Sequence, residues 1–171
     1  MKTYILLLAL LCIAAPARSA LISESVGTGA STSTIVVDFG PASYAFQVHY
    51  DAPITGLSAL QLLDQNSTFR LETVHFSFGD LVSGIEYDGH FQSGIGNNGT
   101  DWWHYWTSNN GTTWSSSGSG AGIRTLADGS WDGWTWVRDQ GSAVPDTPTP
   151  EPGSCALLIA ATATLLRRRR H

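Results

Sequence analysis

The stretch Ile35-Val-Val-Asp-Phe-Gly-Pro-Ala-Ser-Tyr-Ala-Phe-Gln-Val-His-Tyr50 holds two runs of alternating side chains on either side of a Gly-Pro pair. Ile35, Val37 and Phe39 alternate with Val36 and Asp38, and Tyr44, Phe46, Val48 and Tyr50 alternate with Ala45, Gln47 and His49. Successive side chains of an extended chain point to opposite faces, so each run presents one strongly apolar face. Glycine followed by proline interrupts the ladder between them, and the pair reads as a β-hairpin. Directly downstream, Thr55 is placed to cap a helix over Gly56–Gln65. Leu57, Ala59, Leu60 and Leu63 form the apolar stripe of that helix, and Asn66 marks its stop.

From Phe69 onward the sequence is strand and turn. The alternation in Phe69–Phe78 changes phase near Thr73, which predicts a bulge or break there. Leu81–Tyr87 is a further strand. Five Asn-Gly or Asp-Gly pairs follow, beginning at Asp88, Asn98, Asn110, Asp128 and Asp132, and each suits a turn that needs positive φ. Between them lie strand segments at Trp102–Thr107, Thr113–Ser116, Gly122–Leu126 and Gly133–Val137. The order β-β-α followed by strands predicts a small α+β domain, β-grasp-like, extended by a Trp-rich antiparallel meander; an all-β sandwich is the alternative. The domain spans residues 35–139, preceded by a flexible Ser/Thr/Gly leader over 20–34.

The two ends carry addressing information. Residues 1–19 read as a secretory signal: Lys2, an apolar run from Ile5 to Ala15, then small residues that fit cleavage after residue 17 or 19. Residues 140–153 form a proline-rich segment expected to be an extended, solvated stalk. Cys155–Leu166 is apolar and is followed by Arg167, Arg168, Arg169 and Arg170. At 1.5 Å per residue a helix over this apolar run is about 18 Å long, short of the ~30 Å hydrocarbon core, so it anchors weakly while the arginines hold the C-terminus cytoplasmic.

Pro150-Glu151-Pro152, Ser154, the short apolar helix and the terminal arginines together resemble the PEP-CTERM sorting signal, over residues 150–171. The resemblance implies processing by an exosortase, a membrane cysteine protease-transpeptidase, and a destination in the cell envelope or the extracellular exopolysaccharide. The implied partners are the export machinery, the exosortase and, transiently, the inner membrane.

Charge and cysteine content narrow what the exported part does. Between Ala20 and Pro150 three arginines face thirteen acids, a balance of −10, which repels nucleic acid. Cys12 falls in the leader and Cys155 in the anchor, so the domain has neither a disulfide nor a cysteine metal site. His49, His75, His90 and His104 do not pair at metal-ligand spacing within one element, and no nucleophile elbow or P-loop occurs. Glu86 and Asp88 share a strand end, yet a glycosidase needs two opposed carboxylates across a cleft. Asp128 and Asp132 read as turn residues rather than calcium ligands. The expectation is a non-enzymatic domain that needs no cofactor or metal.

All seven tryptophans lie between Trp102 and Trp136. Two readings stand side by side: an aromatic core, or accessible rings that bind flat apolar faces, with Trp102, Trp103, Trp106 and Trp134 as candidate contacts. The segments Asp101–Trp106, Gly111–Trp114, Ser117–Gly122 and Asp128–Trp136, with Val37–Gly40 and Ile54–Leu60 upstream, are similar to an uncharacterised family of secreted domains. That family is related to the C-terminal β-grasp domain of transcobalamin and intrinsic factor. The resemblance implies a ligand-binding module for a corrinoid or a glycan; the alternative is a structural exopolysaccharide or biofilm matrix protein without a small-molecule ligand.

Overall fold

Eight consecutive pairings, from Ser31↔Tyr50 to Asp38↔Ser43, build the expected hairpin in the computed structural model, which describes residues 21–96, 101–137 and 143–149. Its strands are β2 (Ser31–Asp38) and β3 (Ser43–Tyr50), and Gly40 takes φ 95° in the turn, a conformation that favours glycine. The secretory signal over residues 1–19, Asn98, Arg138, the Pro150-Glu151-Pro152 motif, the apolar tail and Arg167–Arg170 lie outside the described residues.

Helix α1 (Gly56–Asn66) starts where the sequence places it, with Thr55 Oγ1 accepting the Ser58 amide at 3.1 Å. The remaining first-turn amides also find partners: Gly56 donates to the Arg124 carbonyl and Leu57 to the Ala121 carbonyl. Leu57, Ala59, Leu60 and Leu63 face inward, and each fully buried leucine contributes about 1.5–3 kcal/mol.

Two sheets sandwich this core. The larger is mixed, with the order β1-β3-β2-β9-β7-β8, where β1 is Ile22–Gly27, β7 Trp102–Ser108, β8 Ser115–Ser116 and β9 Trp131–Val137. Strand β9 returns parallel to β2, at the centre of the sheet, and β7 runs antiparallel to β9. The smaller sheet joins β4 (Arg70–Phe76), β5 (Gly79–Tyr87) and β6 (His90–Ser93), all antiparallel. The phase change near Thr73 is real: the β4–β5 register shifts between Glu72 and Thr73. Phe46 of the large sheet lies edge-on to Phe69 and Tyr87 at 5.5 and 4.8 Å, locking the layers together. The architecture is mostly β with one helix among the described residues, and both an α+β and an all-β description fit it.

Four expectations are corrected. Ile22–Gly27 is not a flexible leader but the edge strand β1, parallel to β3. Its Ser-rich composition hides a weak alternation in which Val26 is buried and the Glu24 carboxylate accepts the Tyr87 hydroxyl at 2.8 Å. Gly122–Leu126 is turn and loop beside the start of α1, joined to it by the isolated bridge Thr55↔Thr125 and by the Gly56 amide on the Arg124 carbonyl. Asp132-Gly133 is not a turn; both residues sit inside β9. By contrast Asp88 and Gly89 take φ 48° and 77° and make the tight β5–β6 turn expected of such a pair.

The fourth correction concerns the stalk. Residues 143–148 lie back across the face of the large sheet that points away from α1. Thr135 Oγ1 donates to the Ala143 carbonyl at 3.0 Å, and the Asp146 amide donates to Asp38 Oδ2 at 2.9 Å. Ser43 Oγ donates to the Asp146 carbonyl, and the Leu21 amide donates to the Pro148 carbonyl at 2.8 Å. Pro145 is buried beside Gly133, where an added Cβ would lie 2.5 Å from Pro145 Cγ and 2.7 Å from Trp114 Cζ3. This strap and Trp114 provide a second layer over Val36, Ala45, Trp106 and Thr135, all buried. The folded unit accordingly runs Leu21–Pro148 rather than ending at 139.

Candidate functional site

Strand β7 places its aromatic residues on both faces of the large sheet. Trp103 and Tyr105 face α1: Trp103 packs edge-on to Phe39 at 5.3 Å, and Tyr105 stacks on Trp134 at 4.5 Å and 17°. Trp106 lies on the strap side, where its Nε1 donates to Thr135 Oγ1 at 2.9 Å. Trp103, Trp106 and Trp134 retain 3, 7 and 4% of their surface, so three of the four candidate contacts are core residues. Trp102 is half-buried, as are Trp114, Trp131 and Trp136. The three buried rings therefore belong to two hydrophobic layers, one on each face of the sheet, and Trp136 lines a separate open pocket with Phe39, Pro41 and Gln92.

The buried polar centre of the molecule lies beside them. Asp132, without exposed surface, accepts the Tyr105 hydroxyl on Oδ2 and Arg124 Nε on Oδ1 at 2.8 Å. Gly56 packs directly against this group: a Cβ there would lie 2.6 Å from both Asp132 Oδ2 and the Tyr105 oxygen. Burial pushes the Asp132 carboxyl above its ordinary value, while the Tyr105 hydroxyl and the Arg124 guanidinium pull it down. Burial and the neighbouring carboxylate raise the Tyr105 hydroxyl far out of the physiological range, so it acts as a donor and not as an acid. For Arg124, burial alone would lower the pKa, and the bond to Asp132 outweighs it. The result is a clamped, permanently charged guanidinium whose charge is matched by its partner.

Arg124 also lines an open pocket of about 520 Å³, together with Thr107, Asn109, Thr113 and Ser115. The loop between β7 and β8 is held by its own side chains. Ser108 Oγ accepts the Asn110 and Gly111 amides, and Asn110 Oδ1 accepts the Thr112 and Thr113 amides, at 2.9–3.1 Å. Gly111, at φ 68°, closes this Asn-Gly turn over the Trp131 ring. Sequence reasoning treated Arg124 only as part of the charge count and Asn110 only as a turn; the scarcity of cations in an acidic domain was the signal that could have singled out Arg124.

Other groups do not converge. His75 Nδ1 meets Asp80 Oδ1 at 2.7 Å, but the histidine side chain is 82% exposed at a hairpin end. Glu86 is exposed, and Asp88 accepts the Tyr44 hydroxyl at 3.0 Å, so the two carboxylates do not face each other across a cleft. Asp128 accepts the Thr32 amide at 2.8 Å, a turn-fixing role separate from Asp132. Among the described residues no group of three or more acidic, histidine or cysteine side chains is arranged to hold a metal ion, and no helix is long and apolar enough to cross a membrane. The chain matches no protein-family model and no curated protein.

Proposed function

We propose that this is an exported envelope protein, delivered through its PEP-CTERM tail by an exosortase, whose non-enzymatic domain binds a ligand of the glycan type. The observation that carries the delivery half is the extent of the folded unit. It begins at Leu21, just beyond the signal-cleavage sites, and ends at Pro148, two residues before Pro150. Its first and last residues are hydrogen-bonded to each other at 2.8 Å, and every described strand and the strap lie between the two end signals. Envelope or extracellular matrix is the destination, with the inner membrane as a transient host. The β-grasp reading is supported by strand order: hairpin, helix, then a last strand returning parallel beside the first, as β3-β2-β9-β7.

The burial of Trp103, Trp106 and Trp134 removes stacking faces that either ligand could use, and the glycan is preferred because hydroxyl groups can be held by polar side chains without them, which a corrin face cannot. The same burial lends weight to a second reading, a structural matrix protein with no small ligand. Sorting is tested by deleting Pro150–Pro152, or separately Arg167–Arg170, in a host with an exosortase: the chain is then retained or lost from its site, and unchanged localisation refutes the proposal. Binding is tested by titrating glycans and cobalamins against intrinsic tryptophan emission and by calorimetry; silence in both leaves the matrix reading.

A further inference from the structure

We propose that the pocket lined by Arg124 is the ligand site of this domain and that it takes an uncharged sugar chain, an inference that rests on the glycan-binding reading above and gives it a place and a chemical class. Three features of the pocket point the same way. The lining side chains of Thr107, Asn109, Thr113 and Ser115 make no hydrogen bond among the described residues, so their hydroxyl and amide groups remain free to meet a ligand. Polyhydroxylated ligands need alternating donors and acceptors of this kind, and groups built to bind a hydroxyl discriminate strongly against ligands that lack it. A volume of about 520 Å³ sits within the range of small-ligand sites.

Rigidity is the second feature. Asp132 fixes the guanidinium from behind, while the Arg124 carbonyl is tied to the Gly56 amide at 3.0 Å. The facing loop is tied by Ser108 and Asn110 to its own backbone, so little freedom is left to lose when a ligand docks.

The third is charge. Arg124 is one of three cations against thirteen acids between Ala20 and Pro150, and its charge is already matched by Asp132. The guanidinium therefore offers directed N–H donors with little net attraction for anions, and the acidic body opposes a uronate or sulfated chain. Neutral hydroxyls are the chemistry that remains.

The test is calorimetry on the full-length protein in a detergent without a sugar headgroup. The probes are tetrasaccharides of glucose, galactose, mannose and N-acetylglucosamine, with a galacturonate tetramer as the charged comparison. At least one neutral tetramer saturates the protein. Ser115→Trp, which fills the mouth from an exposed position, and the double variant Asn109→Ala/Thr113→Ala each weaken that binding tenfold or more with unchanged circular dichroism. If both variants bind like the parent, the domain binds sugar elsewhere and the pocket assignment falls while the glycan reading stands. A preference for the uronate overturns the ligand class. If no neutral tetramer saturates, both the site and the glycan reading fall, and the sorting assay still decides the delivery half.

Discussion

Arg124→Ala removes one partner of a charge pair whose other member has no exposed surface. In the parent the Asp132 carboxylate receives the Tyr105 hydroxyl and the Arg124 Nε; in the variant it keeps only the hydroxyl. Breaking a buried pair from one side costs about 3–5 kcal/mol, and the 25% exposure of the arginine places this case near the lower end. Against a total stability of about 5–15 kcal/mol, a loss of ~3 kcal/mol is readily measured. The backbone role of residue 124 survives, because its carbonyl still accepts the Gly56 amide. The pH dependence follows from the direction of the Asp132 shift. Its folded pKa already stands above the ordinary value, chiefly through burial, and loss of the guanidinium raises it further. A carboxyl with a raised folded pKa contributes stability that is fully present below its unfolded value and is lost as pH rises through the folded one. The deficit of the variant relative to the parent is therefore greatest at neutral pH and shrinks on acidification toward the ordinary carboxyl range. Urea unfolding followed by tryptophan emission, for both proteins at neutral and mildly acidic pH, reads this directly. A neutral-pH deficit below about 1 kcal/mol, the size of an exposed ion pair, refutes the reasoning, as does a deficit that grows in acid.

Gly133→Ala drives a methyl into the space held by Pro145 and Trp114, and costs about 1–3 kcal/mol by urea unfolding, with strap residues losing hydrogen-exchange protection. Ending the chain before Ala143 uncovers Val36, Ala45 and Trp106, so dye binding to exposed apolar surface and acrylamide quenching both rise above those of a chain ending after Pro148. Thr55→Ala removes the side-chain acceptor for the Ser58 amide and costs about 1 kcal/mol, whereas Thr55→Ser costs little.

The hairpin, α1 and the β4 bulge were legible because each rests on a local pattern: alternation, a cap with an apolar stripe, a phase change. Strand β1 was not, because its identity depends on a partner rather than on its own residues. Ser23 and Ser25 suit a linker until β3 supplies a ladder and Tyr87 supplies a partner for Glu24. Asp132-Gly133 failed for a different reason. The pair is a strong turn signal, but here the glycine answers the close approach of Pro145 and Trp114, and the aspartate answers Arg124 and Tyr105. Neither requirement is visible within seven residues of sequence. The tryptophans are an intermediate case. Their alternation on β7 was readable, but which face would be covered depended on residues 143–148, which composition alone describes as a solvated linker.

That cover follows from the aromatic pattern itself. A strand that carries Trp103 and Tyr105 on one face and Trp106 on the other, in a sheet whose outer face also holds Val36 and Ala45, needs a layer on each side. The helix and the small sheet supply one. No second helix is available among the described residues, and a full strand layer would require more chain, so a short extended segment suffices if its backbone groups are met by side chains from the sheet. Thr135, Asp38 and Ser43 meet them, at Ala143, Asp146 and Asp146 again. Proline suits such a strap twice over: it carries no amide to leave unsatisfied, and its fixed φ reduces the entropy lost on docking. The prolines that composition assigns to a spacer thus serve two ends of one segment, Pro145 as core and Pro148 as the acceptor that closes the chain onto Leu21.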